Sequence, residues 1–232
     1  MSHTKLGRIH HPDPRDHNYL LPHNASVALA QPTLTHKLWT INAQHLDQGD
    51  TGTCVGHGWR NFLRCAPIQT SAKSPSAFDI YRGAVLLDPW PENDGEAKLP
   101  DNSSGMDSGT TVRAGAKALQ NLGRLASYAW AFSLTPAVNW VLTKGPVVLG
   151  TDWHEDMFSP NSKGVVDIGG EIAGGHCYLL RGVDTKTRMA RCTNSWGNSW
   201  NPVLKGDFLI DFDSLDALIR VGGEVCTAIQ SI

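Results

Sequence analysis

The chain has 232 residues and a mass of 25.2 kDa, of which 41% are apolar and 18% charged. That is one large domain or two small lobes sharing a cleft, with enough apolar material for a core, and it excludes a disordered chain. A formal charge of −2 and a pI near 6.5 leave no basic footprint for nucleic acid, and no apolar run approaches the ~20 residues needed to cross a bilayer.

Residues 1–37 carry Pro, His and Asn without an apolar period and read as an extended arm packed along the body; residues 38–232 form the domain proper. The opening residues lack the pattern of a secretory signal, so the expectation is a chain that is cytoplasmic at synthesis. A helix is predicted from about Thr53 through GHGWRNFLRCA, with Cys54 at its start. A second is predicted from Ser74-Pro75, with Phe78, Tyr81 and Val85 on one side. A third starts near Thr110 or Thr111, carries Val112, Ala116, Leu119 and Leu122, and stops at Gly123. A fourth runs from Thr135-Pro136 to Gly145, with Val138, Val141 and Leu142. The stretch 90–105 reads as an exposed loop.

After Gly145 the texture changes to short β-type runs: PVVLGT, GVVDI, CYLLRGV, RMARCTN and GDFLID, then a short helix, SLDALIR, and a last strand, EVCTAI. Helices first and strands second predict an α+β fold with two unlike lobes.

The cysteines are at 54, 65, 177, 192 and 226, an odd count with no CxxC pair, so neither a zinc ribbon nor a structural disulfide is expected. Cys65, Cys177, Cys192 and Cys226 lie in apolar runs and read as core. Cys54 differs. The segment DQGDTGTCVGHG (47–58) places Gln48 six residues before Cys54, on a glycine-rich turn feeding a helix N-terminus, where backbone N–H groups and the helix dipole favour a thiolate. GGHCYLLRGVD (174–184) puts His176 at the start of an apolar strand, and NSWGNSW (194–200) puts Asn194 in a turn beside tryptophans. An amide oxygen bonded to one imidazole nitrogen would fix the ring and leave the other to face a thiol. The histidines and acids of the arm (His3, His10, His11, His17, Asp13, Asp16) show density rather than convergence, so no metal site is expected. Trp153, with Asp152, His154, Glu155 and Asp156, reads either as a substrate contact or as a packed ring.

The order Gln–Cys–His–Asn, with QGDTGTC, GGH before an apolar strand and NSWGNSW, resembles the papain-like cysteine peptidases. DSGTTVRAGAKALQNLG (107–123) and LTKGPVVLG (142–150) resemble further segments of that family, and the likeness covers roughly residues 38–232. It implies a helical left lobe, an antiparallel β-barrel-like right lobe and an active-site cleft between them. It implies Cys54 as nucleophile with a thiol pKa near roughly 3–4, as in papain, the reference case for that value. By the same resemblance His176 is the base and then the acid, Asn194 orients it, Trp196 shields their hydrogen bond, and Gln48 with the Cys54 N–H forms an oxyanion hole. Gly52, Ser108, Gly109 and Gly175, and with them Trp196, fall where the resemblance places the family's contacts to extended substrate. Thr51 stands where a left-lobe disulfide partner often sits, and residues 1–37 are too short for the long helical propeptide, so regulation is open.

The expected activity is peptide-bond hydrolysis through an acyl-thioester, with a peptide or protein as partner and no cofactor. The compact layout resembles bacterial and phage-type members, which motivates a phage- or virion-associated setting with an assembly partner there. Two alternatives stay open: a cell-wall peptide hydrolase, and a catalytically silent binding or structural subunit of the same fold.

Overall fold

The computed structural model describes residues 6–21, 34–41, 43–71, 73, 75–88 and 109–229. Among them, five α-helices and seven strands follow the chain as β1 (His36–Leu38), α1 (Cys54–Arg64), α2 (Ala77–Val85), α3 (Val112–Asn121), β2 (Ser127–Ala131), α4 (Leu134–Thr143), β3 (Val147–His154), β4 (Ile172–Asp184), β5 (Met189–Thr193), β6 (Asp207–Asp211), α5 (Phe212–Arg220) and β7 (Glu224–Ile229). No helix among the described residues is long and apolar enough to cross a membrane. Strand β1 straddles the expected boundary at residue 37.

All strand pairs are antiparallel, in the order β2-β7-β3-β4-β5-β6, an open sheet with β1 added beside the distal end of β4. Alternation along the central strands divides the core between two faces. Val147, Leu149, Tyr178, Leu180 and Val225 join α4 and α5 in one cluster, while Val148, Cys177, Leu179 and Cys226 pack with α1 and α3 in the other. Helix α1 sits close to the sheet because Gly58 has no side chain: a Cβ there would be 2.8 Å from the Cys177 sulfur. All five cysteines are free and buried.

Local chemistry explains where the elements depart from expectation. Helix α2 begins later than Ser74, because Ser76 and Asp79 form a reciprocal capping box. Phe78 and Leu122 are exposed, on the outer faces of α2 and just past α3. Thr111 caps α3 through the Ala114 N–H. GVVDI is not a strand: Val165 makes a single bridge to Leu209, and Val166 plugs the core. Strands β1 and β2 are additions to the expected set.

Candidate active site

Cys54 is the first residue of α1 and fully buried. The helix is fixed from three sides: by the sheet beneath Gly58, by α2, where a Cβ on Gly56 would overlap the Ala77 carbonyl oxygen, and by the Trp59 indole, which donates to the Val112 carbonyl (2.9 Å). The thiol therefore has a set position. The backbone N–H groups of Gly7, Cys177 and Val55 direct hydrogen bonds to its sulfur.

His176 lies on β4 opposite Thr151 of β3, and Asn194 directly follows β5. Asn194 Oδ1 accepts the Ser195 N–H at 2.7 Å, which identifies it as the oxygen, and it stands 2.7 Å from His176 Nε2. Nε2 is thus the donor, and a neutral ring keeps its lone pair on Nδ1. Nδ1 is buried and has no hydrogen-bond partner. Trp196 stacks on the ring with centroids 4.6 Å apart, and Trp153 meets it edge-on at 4.9 Å. Cys177, the next residue along β4, is the one whose N–H reaches the Cys54 sulfur, so thiol and imidazole flank one peptide group.

Ser195 joins the two halves. Its Oγ donates to Gln48 Oε1 (2.6 Å), its carbonyl accepts the Gln48 N–H (2.8 Å), and Gln48 Nε2 donates to the Thr51 carbonyl (2.6 Å). The amide of Gln48 is therefore held in one orientation at the turn that leads to Cys54.

The arm crosses this site. Arg8 N–H donates to the Gly175 carbonyl (3.0 Å), Thr110 N–H to the Gly7 carbonyl (2.9 Å), and Ile9 N–H to the Thr110 carbonyl (2.9 Å). The segment is thus stitched to both walls, pairing in parallel with Thr110. Only glycine fits at the crossing, since a Cβ on Gly7 would overlap the Gly52 carbonyl, and one on Gly175 the Arg8 carbonyl oxygen. Gly109, at φ 74°, leaves 2.6 Å between a hypothetical Cβ and the Gly7 oxygen. Further on, Asp16 pairs with Arg113 of α3, and Tyr19 and Leu21 exchange backbone bonds of 2.7 Å with Trp130 of β2.

Arg8 carries the deepest side chain of this segment. Its Nε donates to Glu224 (2.8 Å), one terminal nitrogen to Asp152 (3.4 Å) and the other to the Gly222 carbonyl (2.6 Å). Burial pushes the Glu224 carboxyl up to about 7 even with the Arg8 guanidinium opposing it.

Under this cover the reactive groups are dry. Burial pushes the Cys54 thiol up to about 11, against the pull of the three N–H groups, and pushes His176 down to about 4, against its bond to Asn194. The expected thiol pKa near 3–4 lies in the opposite direction from this conformation, in which burial disfavours the charged form of both groups.

No protein-family model matches the chain, and no curated protein matches it. Among solved structures it is similar to xylellain, a cysteine protease from Xylella fastidiosa, with a TM-score of 0.72 at 19% identity over 98% of this chain and 97% of the other. It is also similar to digestive procathepsin L2 from Tenebrio molitor larval midgut (TM-score 0.64, 17% identity, 96% of this chain and 77% of the other). A third is procathepsin B S9 from Trypanosoma congolense (0.59, 12%, 100% and 85%). The fold is that of the papain-like cysteine peptidases.

On this papain-like frame His176 is bonded to Asn194, Gln48 is tied to the neighbouring Ser195, and the Cys54 sulfur is addressed by the N–H of Cys177, the residue after His176. Gly52, Gly109 and Gly175 line the groove that the arm fills, whereas Ser108 lies outside the described residues. Trp196, grouped with the substrate contacts on sequence, is only 6% exposed and stacks on His176, so it packs the ring. Trp153 is a packed ring too, at the centre of an aromatic cluster with Trp196, Trp200 and Phe208. His57 hydrogen-bonds back to Thr53 within α1. Asp13 and Asp16 face Arg15 and Arg113. No group of metal-ligating side chains occurs among the described residues.

Sequence reading missed Arg8, Glu224 and Ser195. Ser195 sits inside the NSW motif, where its side chain between Asn194 and Trp196 was a readable signal. Arg8 and Glu224 are 216 residues apart and leave no local trace.

Proposed function

We propose that the chain is a cysteine peptidase held closed by its own arm. One observation carries this: His176 is tied through Nε2 to Asn194, leaving Nδ1 as a base beside the peptide whose N–H meets the Cys54 sulfur. The same arrangement assigns each group a step. Once the arm lifts and water enters, the Cys54 proton passes to His176 Nδ1 and the sulfur adds to a substrate carbonyl carbon. The oxyanion is held by the Cys54 N–H and the Gln48 amide. Collapse breaks the C–N bond, His176 returns the proton to the leaving amine, and an acyl-thioester remains on Cys54. Water, deprotonated by His176, then releases the acid and restores the thiol.

The arm is bound as a ligand rather than a substrate. The Gly7 N–H is among the groups that favour the Cys54 thiolate, so the arm meets the sulfur with a hydrogen-bond donor rather than with a carbonyl carbon. The peptide or protein substrate would take the same groove between Gly52, Gly109 and Gly175 once it is vacated.

The test is intact-mass labelling with a peptide epoxide at about pH 6, where an ordinary thiol is almost wholly protonated. Wild type is expected to label slowly. Arg8→Ala, which loosens the arm, is expected to take one adduct on Cys54 and to hydrolyse casein, and both properties should vanish on adding His176→Ala. An opened chain that keeps a reduced Cys54 yet neither labels nor cleaves would overturn the peptidase reading in favour of a silent binding subunit. Release of amines from purified peptidoglycan, with casein untouched, would move the substrate to the cell wall.

A further inference from the structure

Beside α1 lies a cavity of about 720 Å³, walled by the loop before Gln48, by one face of the helix and by the chain leading into α2. Arg60 and Arg64 are four residues apart on α1 and so share that face, and Lys73 lines the cavity from the segment after the helix. Against these three cations the described lining holds one carboxylate, Asp47, whose Oδ1 already accepts the Gly49 N–H at 2.9 Å. Arg64 donates through Nη2 to the Gln44 carbonyl, while its Nη1 is buried without a hydrogen-bond partner among the described residues. Arg60 is only 8% exposed. Burial holds both guanidinium groups below their ordinary range, and a neighbouring cation pushes each further down, Arg124 for Arg60 and Arg60 for Arg64. Like charges one helical turn apart in a partly dry wall cost stability unless something negative meets them. The remaining lining is of a different kind. Phe78, 40% exposed, meets His57 edge-on at 5.4 Å and with Leu46 supplies an apolar wall. Ser76 Oγ accepts the Asp79 N–H (3.1 Å), which leaves its own O–H to donate. The wall is fixed, since Gln69 and Thr70 donate their N–H groups to the Cys65 and Leu63 carbonyls at 2.9 Å each.

We propose that this cavity binds a small organic phosphate, with Arg60, Arg64 and Lys73 on the phosphate group and Phe78 and Leu46 against the organic body. The proposal does not depend on the peptidase reading. A guanidinium presents paired N–H donors that match the spread oxygens of a phosphoryl group, and an ammonium adds a compact charge at the exposed side. Three cations against one carboxylate leave two positive charges over, which the dianion of a phosphate monoester balances and a single carboxylate does not. The volume lies in the ordinary range for small-molecule sites and is far more than a bare phosphate fills, so the apolar wall has a ring or short chain to cover.

The test is calorimetric titration of the full chain with phenyl phosphate, inorganic phosphate and benzyl alcohol, in a buffer free of phosphate and sulfate. Phenyl phosphate is expected to bind with a Kd below about 1 mM, inorganic phosphate about tenfold more weakly, and benzyl alcohol without saturation. Arg64→Gln should raise the phenyl phosphate Kd at least about tenfold, and Lys73→Gln, at an exposed position, about threefold. Phe78→Ala should bring phenyl phosphate to the affinity of inorganic phosphate. Without ligand, Arg64→Gln should unfold at the same temperature as wild type or higher, because it removes one of two repelling charges; phenyl phosphate should then raise Tm in wild type only. If Arg64→Gln does not fold, Lys73→Gln and the ionic-strength dependence of binding carry the charge test. No saturable binding of phenyl phosphate up to about 10 mM, or binding that survives the charge substitutions, overturns the site. Equal binding of benzyl alcohol overturns it as well, since the cations would then contribute nothing. Inorganic phosphate binding as tightly as phenyl phosphate would overturn the organic body in favour of free phosphate.

Discussion

The two walls of the cleft hold their reactive groups by opposite means. On the helix wall Cys54 is positioned by what is missing: Gly56 and Gly58 let α1 press against α2 and the sheet, and the sulfur is addressed by backbone N–H groups of α1 itself, of β4 and of the arm. On the sheet wall His176 is positioned by what is present: an amide from Asn194, a stacked ring from Trp196 and an edge from Trp153. A helix end has its own donors to offer, whereas a strand presents a side chain that must be braced by others. The two walls should therefore fail in opposite ways, the sheet wall when atoms are removed and the helix wall when atoms are added.

The largest effect is expected from Trp153→Ala. The ring is fully buried and touches His176, Trp196 and Phe208, so its loss opens a cavity that close-packed neighbours cannot fill. Urea unfolding should show a loss of about 3–5 kcal/mol. A loss below about 1 kcal/mol would mean the aromatic cage is not what braces the sheet wall. On the helix wall, Gly56→Ala adds one methyl where the Ala77 backbone oxygen already lies, and no rotamer change relieves a backbone clash. The same measurement should fall by about 3 kcal/mol, although alanine is the better helix former by about 1 kcal/mol. A stabilised Gly56→Ala chain would break the comparison.

A pH titration sharpens it further. Burial holds His176 near 4 in this conformation, against 6.5 ordinarily. The unfolded chain therefore takes up the proton first as pH falls, and the stability present above pH 6.5 is lost progressively towards pH 4, by up to about 3 kcal/mol. His176→Gln, which cannot titrate, should show a shallower fall over that window. Parallel curves for the two chains would show that water reaches the ring despite the arm.

The difference between the walls also explains what could be read from sequence. The helix wall announces itself, because a glycine-rich turn before a cysteine and an amphipathic run is local information. His176 and Asn194 are equally local, each inside a short motif on a strand or at its end. Strand β2 is not announced, since Tyr128–Ala129–Trp130–Ala131 is apolar throughout without a polar alternation and its ladder to β7 leaves no local trace. GVVDI misleads in the other direction, since an apolar run reports burial and not a partner, and Val166 is buried without a ladder. The arm is the least legible part. Residues 6–9 have no periodicity, and their place depends on a missing Cβ at Gly7 and on an arginine whose acceptors lie 144, 214 and 216 residues away. Neither feature has a sequence signature.

The smallest effect is expected where the two walls meet. Ser195 Oγ donates to Gln48 Oε1 at 2.6 Å, and that bond sets which end of the Gln48 amide faces Thr51. Ser195→Ala removes one buried donor and leaves every ring, strand and helix in place, so unfolding should shift by only about 1 kcal/mol. If the Gln48 amide serves as proposed, its donors matter most when charge develops on the substrate oxygen. In an Arg8→Ala background, Ser195→Ala should then lower kcat by about tenfold while KM stays within about twofold, the mark of an interaction made in the transition state. A change in KM alone would place Ser195 on the substrate side of the cleft. No change in either would mean that Gln48 is held by its backbone bond to the Ser195 carbonyl, and that the helix wall carries its own oxyanion donors without help from the sheet.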